Sequence, residues 1–135
     1  NKVIAKALNG EALVTYANRS CVRDYVFLDD IVSAFMLAGT CCGSTKNLVY
    51  VIGSGEGKSI ADVWRLIADC VKSHVGRNVP IRSDDSVKIE PLEWRNFAAD
   101  THRFHDATGW QPRTGLTQGI DMTARAFLSK SGRFL

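Results

Sequence analysis

The sequence predicts a mixed α/β chain of helices and short strands, and three observations carry that prediction. Stretches with helical apolar period alternate with short runs rich in β-branched and aromatic residues. One continuous unit, "NLVYVIGSGEGKSIADVWRLIADCV", reads as strand, loop and helix in succession. Its first seven residues, "NLVYVIG", form a nearly unbroken apolar run, the pattern of a parallel-type strand buried on both faces.

Each element has a local cause. In "NKVIAKALNG", Val3, Ile4, Ala7 and Leu8 share one helical face, and Asn9-Gly10 supplies the stop. "EALVTY" and "VRDYVFL" read as strands, the second rich in β-branched and aromatic side chains. Asp29 or Asp30 offers a carboxylate to the orphan N–H groups of the next helix, "DIVSAFMLAG". Ser59 and Asp62 form an S-x-x-D capping box before a helix whose apolar face is Ile60, Val63, Trp64, Ile67, Cys70 and Val71. "NVPIR" and "SVKIE" are read as short strands. Asp100 is the expected cap of the brief helix "THRFHDAT", and Gly109 its terminator. A last helix over roughly residues 115–129 turns Leu116, Ile120, Ala124, Phe127 and Leu128 inward.

A chain of 135 residues suits one domain, residues 1–135. The net charge of +3 is spread among acids with no basic run, which argues against nucleic acid as a partner. No apolar run approaches the roughly 20 residues that cross a bilayer, so no membrane association is expected. The first ten residues lack the apolar core of a signal peptide, and the two methionines are Met36 and Met122. These features read as a fragment, a trimmed chain or a mature form. Cys21, Cys41, Cys42 and Cys70 contain no C-x-x-C pair, which resembles neither a disulfide framework nor a zinc site and fits a reducing cytoplasm. Cys70 reads as a small core residue. His102 and His105 with Asp100 have helical spacing, but zinc needs three or four ligands and His74 is remote in sequence. No metal is expected.

The run "VIGSGEGKS" invites a P-loop reading that counting rejects. Four residues must separate the first glycine from the Gly-Lys pair, yet the residue at that place is Ile52 and Gly53 comes one position too late. The G-x-G-x-x-G dinucleotide fingerprint fails as well, since Gly53, Gly55 and Gly57 are followed by Lys58. The loop still follows a strand and precedes a helix, which is where open α/β sheets place their ligands.

Three runs in order, "RDYVFLDDIVSAFMLA", "YVIGSGEGKSIADVWRLIADCV" and "AADTHRFHDATGWQPRTGLTQGIDMTARAF", resemble the carboxyl-terminal half of the NAD-dependent nucleotide-sugar epimerases and dehydratases, the extended short-chain dehydrogenases. Their counterparts there are "RDF-hydrophobic-VDD", "NIGSG" before a helix, and "AD-SKA-LGW-P" before a final helix. The resemblance covers nearly the whole chain from Glu11 onward.

The resemblance implies the substrate-binding portion of a larger two-lobed enzyme, acting on a nucleoside diphosphate sugar. It also implies NAD or NADP in the parent enzyme, with neither expected on this chain alone. The family's Tyr-x-x-x-Lys pair is absent, because Tyr16, Tyr25 and Tyr50 are followed four residues later by Ser20, Asp29 and Ser54. No catalytic residue is therefore assigned. Arg23 falls where family members contact the substrate phosphates, a task suited to a planar guanidinium. Tyr16 falls where an aromatic borders the nucleobase, although the turn here reads "ANRS". Arg95 falls near a second phosphate-binding arginine, in the departing context "EWRNF". Gly53, Ser54 and Gly55 are expected to frame the site wall. The apolar strand, left without the rest of its sheet, leads us to expect self-association or pairing with the missing half.

Overall fold

The computed structural model describes residues 1–41, 43 and 49–131. They contain α1 (Lys2–Leu8), β1 (Leu13–Thr15), β2 (Val22–Asp24), α2 (Leu28–Thr40), β3 (Gly57–Ser59), α3 (Ile60–Val75), β4 (Ile81–Ser83), a 3₁₀ turn (Pro91–Trp94), α4 (His102–Thr108) and α5 (Leu116–Ser131). The mixed α/β class predicted from the sequence is the class observed. Among the described residues, no helix is long and apolar enough to cross a membrane. The chain divides into two compact units, residues 1–21, 59–95 and 117–135, and residues 22–58 and 96–116.

In the first unit, α3 packs against α1, β1 and β4. Its start follows the predicted chemistry: the Ser59 side chain accepts a hydrogen bond from the Asp62 amide at 3.1 Å and donates one to Asp62 Oδ2 at 2.6 Å. Its end is Gly76 at φ 67°, a left-handed cap that a β carbon would strain. Val63, Ile67 and Val71 are buried at the i, i+4, i+8 spacing that puts them on one stripe. Burying each such side chain contributes about 1.5–3 kcal/mol. β1 pairs in parallel with β4, Leu13 opposite Ile81 and Thr15 opposite Ser83. Leu13 and Thr15 face inward while Val14 lies outside, as strand alternation requires. Asn18 donates to the Glu93 carbonyl at 3.2 Å, and the Cys21 thiol to the Trp94 carbonyl at 3.5 Å, tying the 3₁₀ turn to the segment after β1.

In the second unit, β2 pairs with β3, whose last residue is also the cap of α3. The core is Ala34, Phe104 and Trp110, with Leu37, Ala38, Tyr50 and Ile52 packed against it. Phe104 meets Tyr50 edge-on at 5.4 Å and Trp110 at 5.7 Å, between ring centroids. Trp110 buries its ring and still places its indole N–H on Ser33 Oγ at 2.9 Å, so no buried donor is stranded. Gly109 at φ 71° ends α4, as predicted.

Several expectations change. The described part of "NLVYVIG", residues 49–53, is not a strand, and only one side of it is covered: Tyr50 and Ile52 pack inward, while Val49 and Val51 are exposed. A strand is defined by its ladder with a neighbour, and residues 49–53 join no ladder among the described residues; Asn47 and Leu48 fall outside them. The parallel pair is β1 with β4 instead. Of "VRDYVFL" only Val22–Asp24 is strand, and "SVKIE" forms no strand before the 3₁₀ turn. Neither Asp29 nor Asp30 caps α2, whose N-cap is Phe27 without a side-chain bond. The cap of α4 is Thr101, with Asp100 one residue earlier accepting from the His102 amide at 3.1 Å. Cys70 is half-buried rather than in the core.

Candidate functional site

Two carboxylates of the run "RDYVFLDD" organise the second unit. Asp24, at the end of β2, accepts from the Ser54 amide at 2.7 Å, the Gly55 amide at 3.0 Å and the Ala99 amide at 2.9 Å. Partial burial pushes this carboxyl up, but the hydrogen bonds from Ala99, Ser54 and Gly55 prevail and hold it below its ordinary value of 3.8. Asp30, buried on α2, accepts from the Arg113 amide at 3.1 Å and the Thr114 amide at 3.0 Å. A buried carboxylate is tolerated because its lone pairs are satisfied by aligned donors.

These bonds explain the glycine loop. The Ser54 and Gly55 amides are turned onto a carboxylate of their own chain, so they do not form an anion nest. A β carbon at Gly53 would overlap the Ala99 methyl and the Asp24 carboxylate, and one at Gly57 would overlap Val22. Gly55 sits at φ 77°, where only glycine is unstrained. Close approach and a left-handed turn account for the three glycines.

Between the two fixed loops lies a cleft of about 150 Å³. One wall is Ser54, Glu56 and Lys58, the other is Pro112 through Leu116, and Tyr25 stands with them. Burial pushes the Tyr25 phenol up, against the lowering influence of the neighbouring Arg23 charge, so it is a protonated donor at neutral pH. Lys58 and Arg113 set two cations against the single carboxylate of Glu56. Drug-sized ligands occupy roughly 300–1,000 Å³. This cleft fits one polar fragment, of the size of a phosphate or part of a sugar.

Of the residues singled out from sequence, Arg23, Gly53, Ser54 and Gly55 belong to the second unit, and Tyr16 and Arg95 to the first. Arg23 is half-buried, with Nη1 donating to the Val22 carbonyl at 2.9 Å. Ser54 lines the cleft, and its hydroxyl bonds the Glu56 carbonyl at 3.1 Å and the Glu56 amide at 3.0 Å. Tyr16 and Arg95 are exposed. His102 is tied to Asp100 at 2.8 Å and His105 to Asp106 at 3.5 Å, two separate local pairs. Sequence reasoning missed Tyr25, Lys58 and Arg113. Lys58 lies in the run that counting excludes as a P-loop, and Arg113 in the run "AADTHRFHDATGWQPRTGLTQGIDMTARAF".

A family model described as GDP-mannose 4,6 dehydratase matches residues 1–123. The chain belongs to this family of nucleotide-sugar epimerases and dehydratases, the extended short-chain dehydrogenases. Within it, the chain is 34% identical over 132 residues to the dTDP-glucose 4,6-dehydratase of Xanthomonas campestris pv. campestris (strain B100), covering 94% of this chain and 36% of that protein. It superposes on the UDP-glucose 4-epimerase of Thermotoga maritima, solved with UDP-glucose, at a TM-score of 0.77 and 23% identity, covering 96% of this chain and 39% of the other. On the UDP-glucose 4-epimerase of Thermus thermophilus, solved with NAD, the TM-score is 0.69 at 25% identity, with 93% and 40% covered. The chain thus spans between a third and two-fifths of the length of these relatives.

Proposed function

We propose that this chain is the substrate-binding portion of an NAD(P)-dependent enzyme that epimerises, dehydrates or reduces a nucleoside diphosphate hexose, residues 1–135 acting as its carboxyl-terminal domain. The carrying observation is the family match across residues 1–123. UDP-glucose and NAD in the two epimerase structures support the choice of substrate and cofactor. In this reading Arg23 and Arg95 hold the diphosphate and Tyr16 borders the base. The loop at Gly53, Ser54 and Gly55 frames the wall of the cleft, in which Tyr25, Lys58 and Arg113 supply donors to an anionic or hydroxyl-rich fragment. A cytoplasmic location goes with it, since the substrate class is a soluble intracellular metabolite type and the cysteines are free where described.

One observation favours a second reading, a nucleotide-sugar binding or assembly module that does no chemistry by itself: these residues contain no Tyr-x-x-x-Lys pair and no dinucleotide fingerprint. Calorimetry separates the readings. UDP-glucose, dTDP-glucose and GDP-mannose are titrated into the chain with and without NAD. At least one binds with a Kd in the micromolar range (about −8 kcal/mol), and Arg23→Ala weakens it about tenfold or more. Binding without NAD supports the module; binding only when NAD and the rest of a longer polypeptide are present supports the enzyme portion. No heat with any of the three sugars in the chain defeats the module, and none in the longer polypeptide with NAD defeats the enzyme portion.

A further inference from the structure

Cys70, His74 and Asp121 each bring one ligand atom to a common point, all within 4.8 Å of one another, and among the described residues they are the one such trio of potential metal ligands. All three lie in the first unit, whereas the cleft-lining residues belong to the second. Cys70 and His74 stand at i and i+4 on α3, a regular helix of 16 residues, so their side chains project from one face a turn apart. Asp121 comes from the first turns of α5, and its Oδ1 lies 2.7 Å from His74 Nε2. All three are half-buried, which leaves room for a fourth, exchangeable ligand.

We propose that these three residues form a transition-metal site of the kind zinc occupies, closed to magnesium and calcium. A thiolate, an imidazole and a carboxylate are the ligand types zinc accepts, and the soft sulfur disfavours magnesium and calcium. Zinc bonds of about 2.0–2.3 Å place tetrahedral ligands about 3.3–3.8 Å apart. The trio reaches that spacing by closing any wider gap by no more than about 1 Å and opening the 2.7 Å His74–Asp121 hydrogen bond by somewhat less, adjustments within side-chain torsion. Arg125 Nε donates to Asp121 Oδ2 at 2.9 Å, which leaves Oδ1 as the metal-facing oxygen and fixes the carboxylate plane from outside. The metal clips α3 to α5 in place of the Asp121–His74 hydrogen bond. With the imidazole neutral and its proton on Nδ1, thiol ionisation on binding releases one proton to solvent and requires no redox partner.

The test uses the full 135-residue chain, tag-free and stripped with chelator, titrated with Co²⁺. A thiolate-to-cobalt charge-transfer band and visible d–d bands of a four-coordinate centre are expected, saturating at one equivalent and bleached by one equivalent of Zn²⁺. Cys70→Ser removes the charge-transfer band, and His74→Gln and Asp121→Asn each lower cobalt affinity by more than about tenfold, since even an outer partner's loss costs 10–100-fold. Alkylation of Cys70 in the unsubstituted chain, read by peptide mass, slows about tenfold or more with Zn²⁺, a readout that does not depend on variants folding. Absence of bands at saturating cobalt, bands that persist in Cys70→Ser, or alkylation unaffected by zinc each overturn the site and leave the Asp121–His74 and Asp121–Arg125 pairs as protein contacts only.

Discussion

Asp24 shows how one side chain governs a loop whose function first looked like its own. Three amides converge on it, the Ser54 amide from 30 positions away in sequence and the Ala99 amide from 75. Its folded pKa lies below the unfolded value near 3.8, so its stabilisation is fully present above about pH 4 and is lost as the pH falls through the lower, folded pKa. Asp24→Asn keeps the shape but loses the charge and one acceptor. Denaturant melts at pH 7 are expected to show a loss of about 2–3 kcal/mol, the scale of hydrogen bonds to a charged group. The gap between Asp24→Asn and the parent narrows as melts are repeated toward lower pH, because below the unfolded pKa near 3.8 the unfolded chain takes up a proton that the folded carboxylate resists. A gap that does not change with pH argues against this assignment. Asp30 makes the matching point for the other loop, gripping the Arg113 and Thr114 amides. In sequence Asp30 reads as a candidate helix cap, since Asp most often serves its own helix. The distant partners of both acids were not legible.

At the scale of elements, the same substitution separates packing from propensity. Gly53→Ala drives a methyl into Ala99 and the Asp24 carboxylate and is expected to cost about 1–3 kcal/mol. Gly39→Ala, in α2, meets no atom within 4 Å and is expected to stabilise by about 0.5–1 kcal/mol through helix propensity. Thermal or urea melts of the two variants check the opposite signs; equal shifts would refute the close-approach account. Helix starts and stops set by neighbours within four residues were readable where the Ser59 box and the stop at Gly109 formed, and Val63, Ile67 and Val71 of the predicted α3 stripe are buried while Ile60, Trp64 and Cys70 are half-buried. Strands were not, because pairing depends on a partner remote in sequence. "EALVTY" and "NVPIR" found each other as β1 and β4, while the more apolar "NLVYVIG" joins no ladder among the described residues.

At the scale of the molecule, α2 turns an apolar face outward. Leu28 is 66% exposed, Phe35 73% and Met36 69%, with Val32 between them, at helical spacing. Such a contiguous patch favours association. Sedimentation velocity at rising micromolar concentration is expected to show the chain self-associating, and the double change Phe35→Asp with Met36→Lys to reduce it. A single monomeric boundary across that range would sink the expectation. The relatives' length, more than twice that of this chain, offers the same face a different cover in a longer polypeptide.

The sequence by itself determined the mixed α/β class, the family, the start of α3 and the stop of α4. Each of these depends on residue order within a few turns, or on motifs that keep their spacing along the chain. Tertiary structure alone decided that the glycine loop is pinned by Asp24, that Tyr25, Lys58 and Arg113 share a cleft, and that Asp121 meets a cysteine and a histidine, His74 lying 47 residues before it. Those facts are distances between groups far apart in sequence. Only the folded chain brings such groups within the few ångströms where hydrogen bonds and metal bonds form.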